Sequence, residues 1–444
     1  MREPRWLARV ALLAALVLVG AACAQEEAPS GGGGQQAVDC ATVEFGCVEV
    51  GADEPIKIAA LQTLSGDAAA LGQDQVYGLR LAIDYLDGSF DGTPGQILGH
   101  DVELVEEDEQ CTAEGGQAGA TRLAADPKIV AVFGTTCSSA ALGVADTILG
   151  EQGILLISGS NTNPNLTAEG VHNPFYARTA HNDKIQGAVV AEFVYNELGA
   201  RSAATINDES PYADALAAVF RAVFEALGGE ITGFEKVQST DTEFGPVLTR
   251  LAEGRPDVLY YPDFPQVCGL VTAQARDMPA FADAILVGSD GCASKDALDL
   301  AGDAAEGWYR SGPDTTGFQG GEFYQNEFLP AYLDQFGVDA ALSVFHAHTW
   351  DAFYIWKEAL EKVAIENDDG SLTIPRMALR DALFQTSGYQ GLTGTITCTE
   401  LGDCATDVVI AIFQAPEWPE LDPKAEPVYT DTKSLQEVAE QYGV

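Results

Sequence analysis

The chain has 444 residues, with 67 Asp and Glu against 23 Lys and Arg, a formal net charge of −44. Hydrophobic residues make up 46%, enough for a sizeable core, which excludes disorder over most of the length. The acidic excess also excludes a face for the phosphate backbone of nucleic acid or for an anionic membrane surface.

At the N-terminus, Arg2, Arg5 and Arg9 lead into an unbroken apolar run, Val10 to Val19, and then Gly20-Ala21-Ala22-Cys23. A basic head, a short greasy segment and small residues predict a secretory signal over 1–22, too short to span a membrane. The cysteine after the small residues resembles a bacterial lipoprotein signal. That implies cleavage before Cys23, its lipidation, and an exported protein anchored on the outer face of the cytoplasmic membrane. An ordinary cleaved signal is the alternative. Residues 23–53 read as a flexible tether, rich in Gly, Ser, Pro, Gln and Glu and including Gly31 to Gly34. Setting Cys23 aside, eight of the nine cysteines remain, an even number in an exported chain, where disulfides persist. Cys40 and Cys47, and Cys398 and Cys404, are close enough in sequence to close small loops. Cys111, Cys137, Cys268 and Cys292 remain, with their pairing open. The spacings fit no tetrahedral zinc pattern.

From Glu54 onward strands and helices alternate. Ile56 to Leu61, Val102 to Val105, Ile129 to Phe133 and Ile154 to Ile157 read as strands; Tyr77 to Leu86, Gln117 to Ala125 and Ala140 to Leu149 read as helices. After about residue 180 the theme repeats. Helices are predicted at Gln186 to Leu198 and Ala213 to Leu227, and strands at Ala203 to Ile206, Ile231 to Val237, Val258 to Tyr261 and Ala284 to Val287. Short apolar strands between helices indicate parallel sheets covered on both faces. The expected fold is therefore α/β with two similar lobes. Beyond Trp308 come helical patterns at Gly321 to Phe336 and Ala340 to Val363, then paired strands within Gly394 to Phe413. The lobes are assigned as 54–180 plus 312–395 and 181–311 plus 396–444, with hinges near residues 180, 311 and 395.

Ligands of such sheets bind at loops after the strand ends. Here those loops are Gly134-Thr135-Thr136-Cys137-Ser138-Ser139, Ser158 to Pro164, Asn207 to Tyr212, Pro262 to Pro265, and Gly288-Ser289-Asp290-Gly291. The first two combine hydroxyls with backbone N–H groups and suit a carboxylate. The other three supply aromatics and a carboxylate, suited to an ammonium and an apolar body. Together they describe a clamp for a zwitterion; plain capping and turn chemistry is the alternative.

These loops, with Ser65-Gly66, Ala304-Ala305-Glu306-Gly307 before Trp308 and the strand ending Ile412-Phe413-Gln414, resemble the leucine/isoleucine/valine-binding protein family in order and spacing. These are the type I periplasmic substrate-binding proteins of branched-chain amino acid ABC transporters, and the likeness covers roughly residues 54 to 415. It implies that Ser138 holds a substrate carboxylate through its hydroxyl and N–H, with Ser139 beside it, and that Thr162 does the same from the next loop. Ser160 offers its carbonyl to the ammonium, Tyr212 lines the site, and Leu71 touches the substrate side chain. Asp290 falls where the family often has Glu, and Phe264 where it has Tyr. Cys111 and Cys137 match the family's disulfide, and Cys268 and Cys292 lie near Phe264 and Asp290, where a bond would stiffen that wall. The implied function is capture of an amino acid, branched-chain or otherwise apolar, by a monomer that delivers it to an ABC permease. A sensor, or a binder of amide, urea-like or aromatic carboxylate solutes, is the alternative on the same fold.

No sequence signature of a nucleotide, nucleophile-elbow or zincin enzyme is present, so no catalysis and no cofactor are expected. His346 and His348 stand two apart on a predicted helix and point apart, which argues against a shared metal. Asp87 to Gly92 and Asn367 to Gly370 have calcium-like composition but no EF-hand register, and read as turns.

Overall fold

Apolar runs of three to seven residues, bounded by polar turns, form the central strands of two sheets in the computed structural model. It describes residues 38–144, 148–405, 408–419, 422 and 424–444. The expected signal, Cys23 and the tether up to residue 37 lie outside these residues.

The first sheet has six strands in the order Gln96–Ile97, His100–Asp108, Ile56–Gln62, Ile129–Gly134, Leu155–Ser158, Tyr176–Arg178. All its pairs are parallel except the outermost, Gln96–Ile97 with His100–Asp108. The second sheet has seven strands: Tyr429–Lys433, Val408–Gln414, Tyr309–Pro313, Ile285–Gly288, Val258–Tyr260, Ser202–Asn207, Glu230–Lys236. Its first two pairings are antiparallel and the rest parallel. Helices pack against these sheets, and the protein is an α/β fold with two sheet-based halves. In each sheet the strand order reverses beside one strand, Ile56–Gln62 in the first and Ser202–Asn207, next to the edge, in the second. The loops that follow open onto crevices at the carboxyl ends of the strands.

Several elements differ from the sequence reading. Cys47–Val50, placed in the tether by its polar surroundings, is a strand antiparallel to Leu372–Pro375, with Val48 and Val50 buried. Gly394 to Phe413 is not one strand pair. Thr395–Ile396 pairs with Tyr389–Gln390, while Val408–Gln414 joins the second sheet. Tyr429–Lys433 and the capped helix Leu435–Tyr442 were not anticipated, because their apolar content is low. The helix expected from Ala140 begins at Ser138. The helix expected from Ala340 begins only at His346.

That late start has a physical cause. Asp74, fully buried on the helix Ala69–Asp84, accepts the backbone N–H groups of Phe345 (2.9 Å) and His346 (2.8 Å), capping the second helix from outside. It also takes His346 Nδ1 at 2.9 Å and the Tyr332 hydroxyl at 2.7 Å, and Tyr324 OH pairs with His346 Nε2 at 2.9 Å. Burial alone would raise the Asp74 carboxyl, but the neighbouring His346 and the donors outweigh it and hold it below its usual range. One carboxylate thus ties three helical segments together. Replacing Asp74 with Ala orphans these donors inside the core, and the expected loss is about 3–5 kcal/mol in urea unfolding; a loss below about 1 kcal/mol would contradict this role.

Candidate functional site

The site begins with hydroxyl side chains that tie two loops of the first sheet together. Ser158 Oγ donates to Thr135 O at 2.8 Å, and Ser160 Oγ to Thr136 O at 2.9 Å. Asn161 Nδ2 reaches the same two carbonyls at 2.9 and 3.0 Å. With these carbonyls engaged from behind, the loop turns Thr136, Cys137 and Ser138 toward the cleft. Gly134 makes the sharp exit from its strand possible: its φ is +146°, and a Cβ there would lie 2.0 Å from Leu61 O. The second loop is itself fixed by Arg178, fully buried and paired with Asp403 at 2.6 Å, whose remaining N–H groups reach Asn161 O, Asn163 O and the Thr167 hydroxyl. Ser138 Oγ accepts the Asn163 N–H at 3.3 Å, so the hydroxyl hydrogen is left to donate elsewhere.

The opposite wall comes from the second sheet. Asp290, 2% exposed, follows the strand Ile285–Gly288. Its Oδ1 accepts the Tyr212 hydroxyl at 2.8 Å and Gln186 Nε2 at 2.8 Å. Tyr212 OH in turn pairs with Ser289 Oγ (2.7 Å) and accepts the Gly291 N–H (3.1 Å). Burial, followed by the Asp290 charge, pushes the Tyr212 phenol far up, so it stays a donor at any physiological pH. The Phe264 ring lies 5.4 Å from that of Tyr212. A Cys268–Cys292 disulfide joins the helix behind Phe264 to the turn that carries Asp290. Asp183 is buried nearby, and burial together with Asp290 drives its carboxyl well above the usual range.

Leu71, Thr136, Cys137, Ser138, Ser160, Tyr212, Phe264, Asp290, Gly291 and Phe345 enclose a cavity of about 10 Å³, room for one water molecule. The two halves are closed on each other. Asp67 of the first accepts Gln266 N–H of the second at 3.0 Å, and Asn163 Nδ2 donates to Pro211 O at 2.7 Å. A wider cleft of about 780 Å³ adjoins the cavity and shares Phe264 with it. Its lining is acidic, with Asp67, Glu114, Asp208 and Glu209.

Six of the eight expected contacts therefore meet in one cavity: Leu71, Ser138, Ser160, Tyr212, Phe264 and Asp290. Two do not. Ser139 donates to Cys111 O at 2.9 Å and faces the outer cleft. Thr162 lies behind the wall: its carbonyl accepts Asp183 N–H at 3.0 Å and its hydroxyl faces the Asp183 carboxyl. Phe345, Gln186 and Asp183 were missed. Phe345 was hidden in a helical pattern and the other two on a helix whose periodic residues are apolar. Glu109 was missed as well: it is fully buried behind the Gly134 to Ser139 loop, with Oε1 accepting the Thr63 hydroxyl (2.5 Å) and Cys137 N–H (3.1 Å). The Cys111–Cys137 disulfide closes the same loop, and a ring of 26 residues restricts the unfolded chain by about 3 kcal/mol. Cys40–Cys47 and Cys398–Cys404 are also bonded. Among the described residues, one trio of potential metal ligands comes together, Cys40, Cys47 and Glu49, and its two sulfurs are bonded to each other.

Comparison with other proteins points to the family and the fold. A family described as periplasmic binding protein matches residues 55–411. Leu/Ile/Val-binding protein homolog 3 of Brucella melitensis is 26% identical over 356 residues, covering 79% of this chain and 89% of its own. The Leu/Ile/Val-binding protein of Escherichia coli is 27% identical over 254 residues, 57% of this chain and 66% of its own. Two solved structures share the fold. The branched-chain amino acid transporter substrate-binding protein LivJ of Streptococcus pneumoniae, in complex with isoleucine, has a TM-score of 0.70 at 23% identity, covering 86% of this chain and 100% of its own. An ABC transporter solute-binding protein of R. palustris, in complex with benzoate, has a TM-score of 0.70 at 18% identity, covering 86% and 97%.

Glu109 gives the site a pH signature. Burial raises its carboxyl from 4.5 to about 7, against the pull of its hydrogen bonds. A carboxyl whose folded value is raised contributes stability that is full below pH 4.5 and is lost as pH rises to about 7, about 3 kcal/mol in all. Glu109→Gln keeps the acceptor for Thr63 and Cys137. It is expected to unfold later than the wild type at pH 8, with the difference vanishing near pH 4.5; equal stability at pH 8 would contradict the assignment.

Proposed function

The chain belongs to the periplasmic binding protein family, and from that premise we propose that it captures an amino acid with an apolar, branched side chain and delivers it to an ABC permease. The family is extracytoplasmic, and no helix among the described residues is long and apolar enough to cross a membrane. Lipidation at Cys23 would anchor the protein beside the permease, where it acts as a monomer. The carrying observation is the opposition of two chemistries across one closed cavity. Ser138 of the first half and Asp290 of the second line the same cavity, together with Leu71, Phe264 and Phe345. The Ser138 hydroxyl and N–H hold the ligand carboxylate, Asp290 Oδ2 meets the ammonium, and the three apolar side chains take the ligand side chain. Asp is one methylene shorter than Glu, so the ammonium sits deep against the second wall.

The benzoate-bound relative shows that this fold also takes carboxylates that carry no ammonium. The present site disfavours them: Asp290 and the acidic outer cleft repel a plain anion and attract a cation. A cavity of one water's volume has no room for an amino acid, so the halves open first. Ligand contacts made to both walls exist only in the closed form and shift the population toward it.

Ligand-stripped protein should gain about 2.7 kcal/mol of stability at a ligand concentration 100 times the dissociation constant, read as a thermal shift. Leu, Ile or Val are expected to produce it. Asp290→Asn should weaken that binding by about 2–5 kcal/mol by calorimetry. A shift with benzoate but with no amino acid would overturn the reading.

A further inference from the structure

Asp290 is an acceptor, and that fact orders the groups behind it. Gln186 donates through Nε2 to Asp290 Oδ1 at 2.8 Å and to Ser311 Oγ at 2.9 Å. An amide that turns its NH2 toward a carboxylate turns its carbonyl the other way. Gln186 Oε1 meets His181 Nε2 at 2.5 Å, so that nitrogen must carry the proton. Gln186 is 0% and His181 1% exposed. Burial holds the His181 imidazole below its ordinary value, so it is neutral at pH 7 and in one tautomer. Its Nδ1 is buried without a hydrogen-bond partner, as a bare lone pair there would be.

We infer that His181 and Gln186 are positioning residues for recognition of the ligand's ammonium: His181 locks the Gln186 amide, and Gln186 holds Asp290 Oδ1 so that Oδ2 is presented to the ligand. The inference rests on the reading of Asp290 given above. Without the His181 N–H the Gln186 carbonyl is left buried without its donor, and the amide loses one of the contacts that hold its NH2 against Asp290. The chain of bonds also spans the hinge. His181 lies where the chain leaves the first sheet, Ser311 lies on the second-sheet strand just before the chain returns, and Asp290 lies on the second wall. Asp290 is therefore aimed from the crossing segments as well as from its own loop through Tyr212.

The test compares isoleucine with 3-methylpentanoate, which lacks the ammonium, on Gln186→Leu, His181→Phe and the double variant by calorimetry. Losing a hydrogen bond to a charged group should lower isoleucine affinity roughly 10–100-fold in Gln186→Leu and about tenfold in His181→Phe. Affinity for 3-methylpentanoate should change less than about threefold. The double variant should match Gln186→Leu, because His181 acts only through Gln186. Equal losses for both ligands, additive losses, or unchanged isoleucine affinity would overturn the inference and leave the reading of the site standing. Failure of the wild type to bind isoleucine, leucine and valine alike would overturn both; if leucine or valine binds in place of isoleucine, the comparison is made with it and its deaminated analogue. Nitrogen-15 spectra of the wild type's five histidines provide a readout independent of the variants. A neutral Nε2–H form at pH 7.5 is expected for His181, and an Nδ1–H or doubly protonated form would overturn the inference.

Discussion

A carboxylate taken out of water costs several kcal/mol unless donors replace its hydration. Asp290 is 2% exposed and holds its place because Tyr212 and Gln186 both donate to Oδ1. The second wall is arranged around that requirement. Ser289 and Gly291 orient the Tyr212 hydroxyl, the Cys268–Cys292 disulfide fixes the turn, and His181 and Ser311 fix the amide. The outcome is a negative charge aimed at a small cavity.

The first wall is built on the opposite principle. Its groups are neutral, and the Thr135 and Thr136 carbonyls are engaged from behind by Ser158, Ser160 and Asn161. Ser138 lines the cavity, with its hydroxyl hydrogen left to donate. Glu109, close behind this wall, is pushed toward its neutral form, which removes a repulsion that a ligand carboxylate would otherwise meet. Asp74 adds the third side by holding Phe345 at the start of its helix. Hydrogen bonds from Gln266 to Asp67 and from Asn163 to Pro211 close the mouth. Both are exposed or partly exposed and weak enough to break when the halves part.

The alternation of apolar runs and helical faces made the two-sheet α/β fold legible, and the polar loops after the strand ends located most of the cavity lining. The remainder was illegible for specific reasons. Phe345 sits in an apolar run that continues the helical period, and it leaves the helix only because a carboxylate 271 positions away caps it. Gln186 shares a helix with Val189, Val190 and Phe193, so local pattern could not show that its amide reaches Asp290, 104 positions away. Ser139 and Thr162 have the right chemistry and the wrong direction, which backbone geometry decides. Cys47–Val50 has too little local signal to be a strand without its partner Leu372–Pro375.

A crystal structure of the ligand-stripped protein reloaded with isoleucine tests the central claim most directly. The account predicts the carboxylate on Ser138, the ammonium within hydrogen-bond reach of Asp290 Oδ2, and the side chain against Leu71, Phe264 and Phe345, with the cavity enlarged to hold it. Isoleucine bound outside this cavity, or bound within it with its ammonium turned away from Asp290, would contradict it.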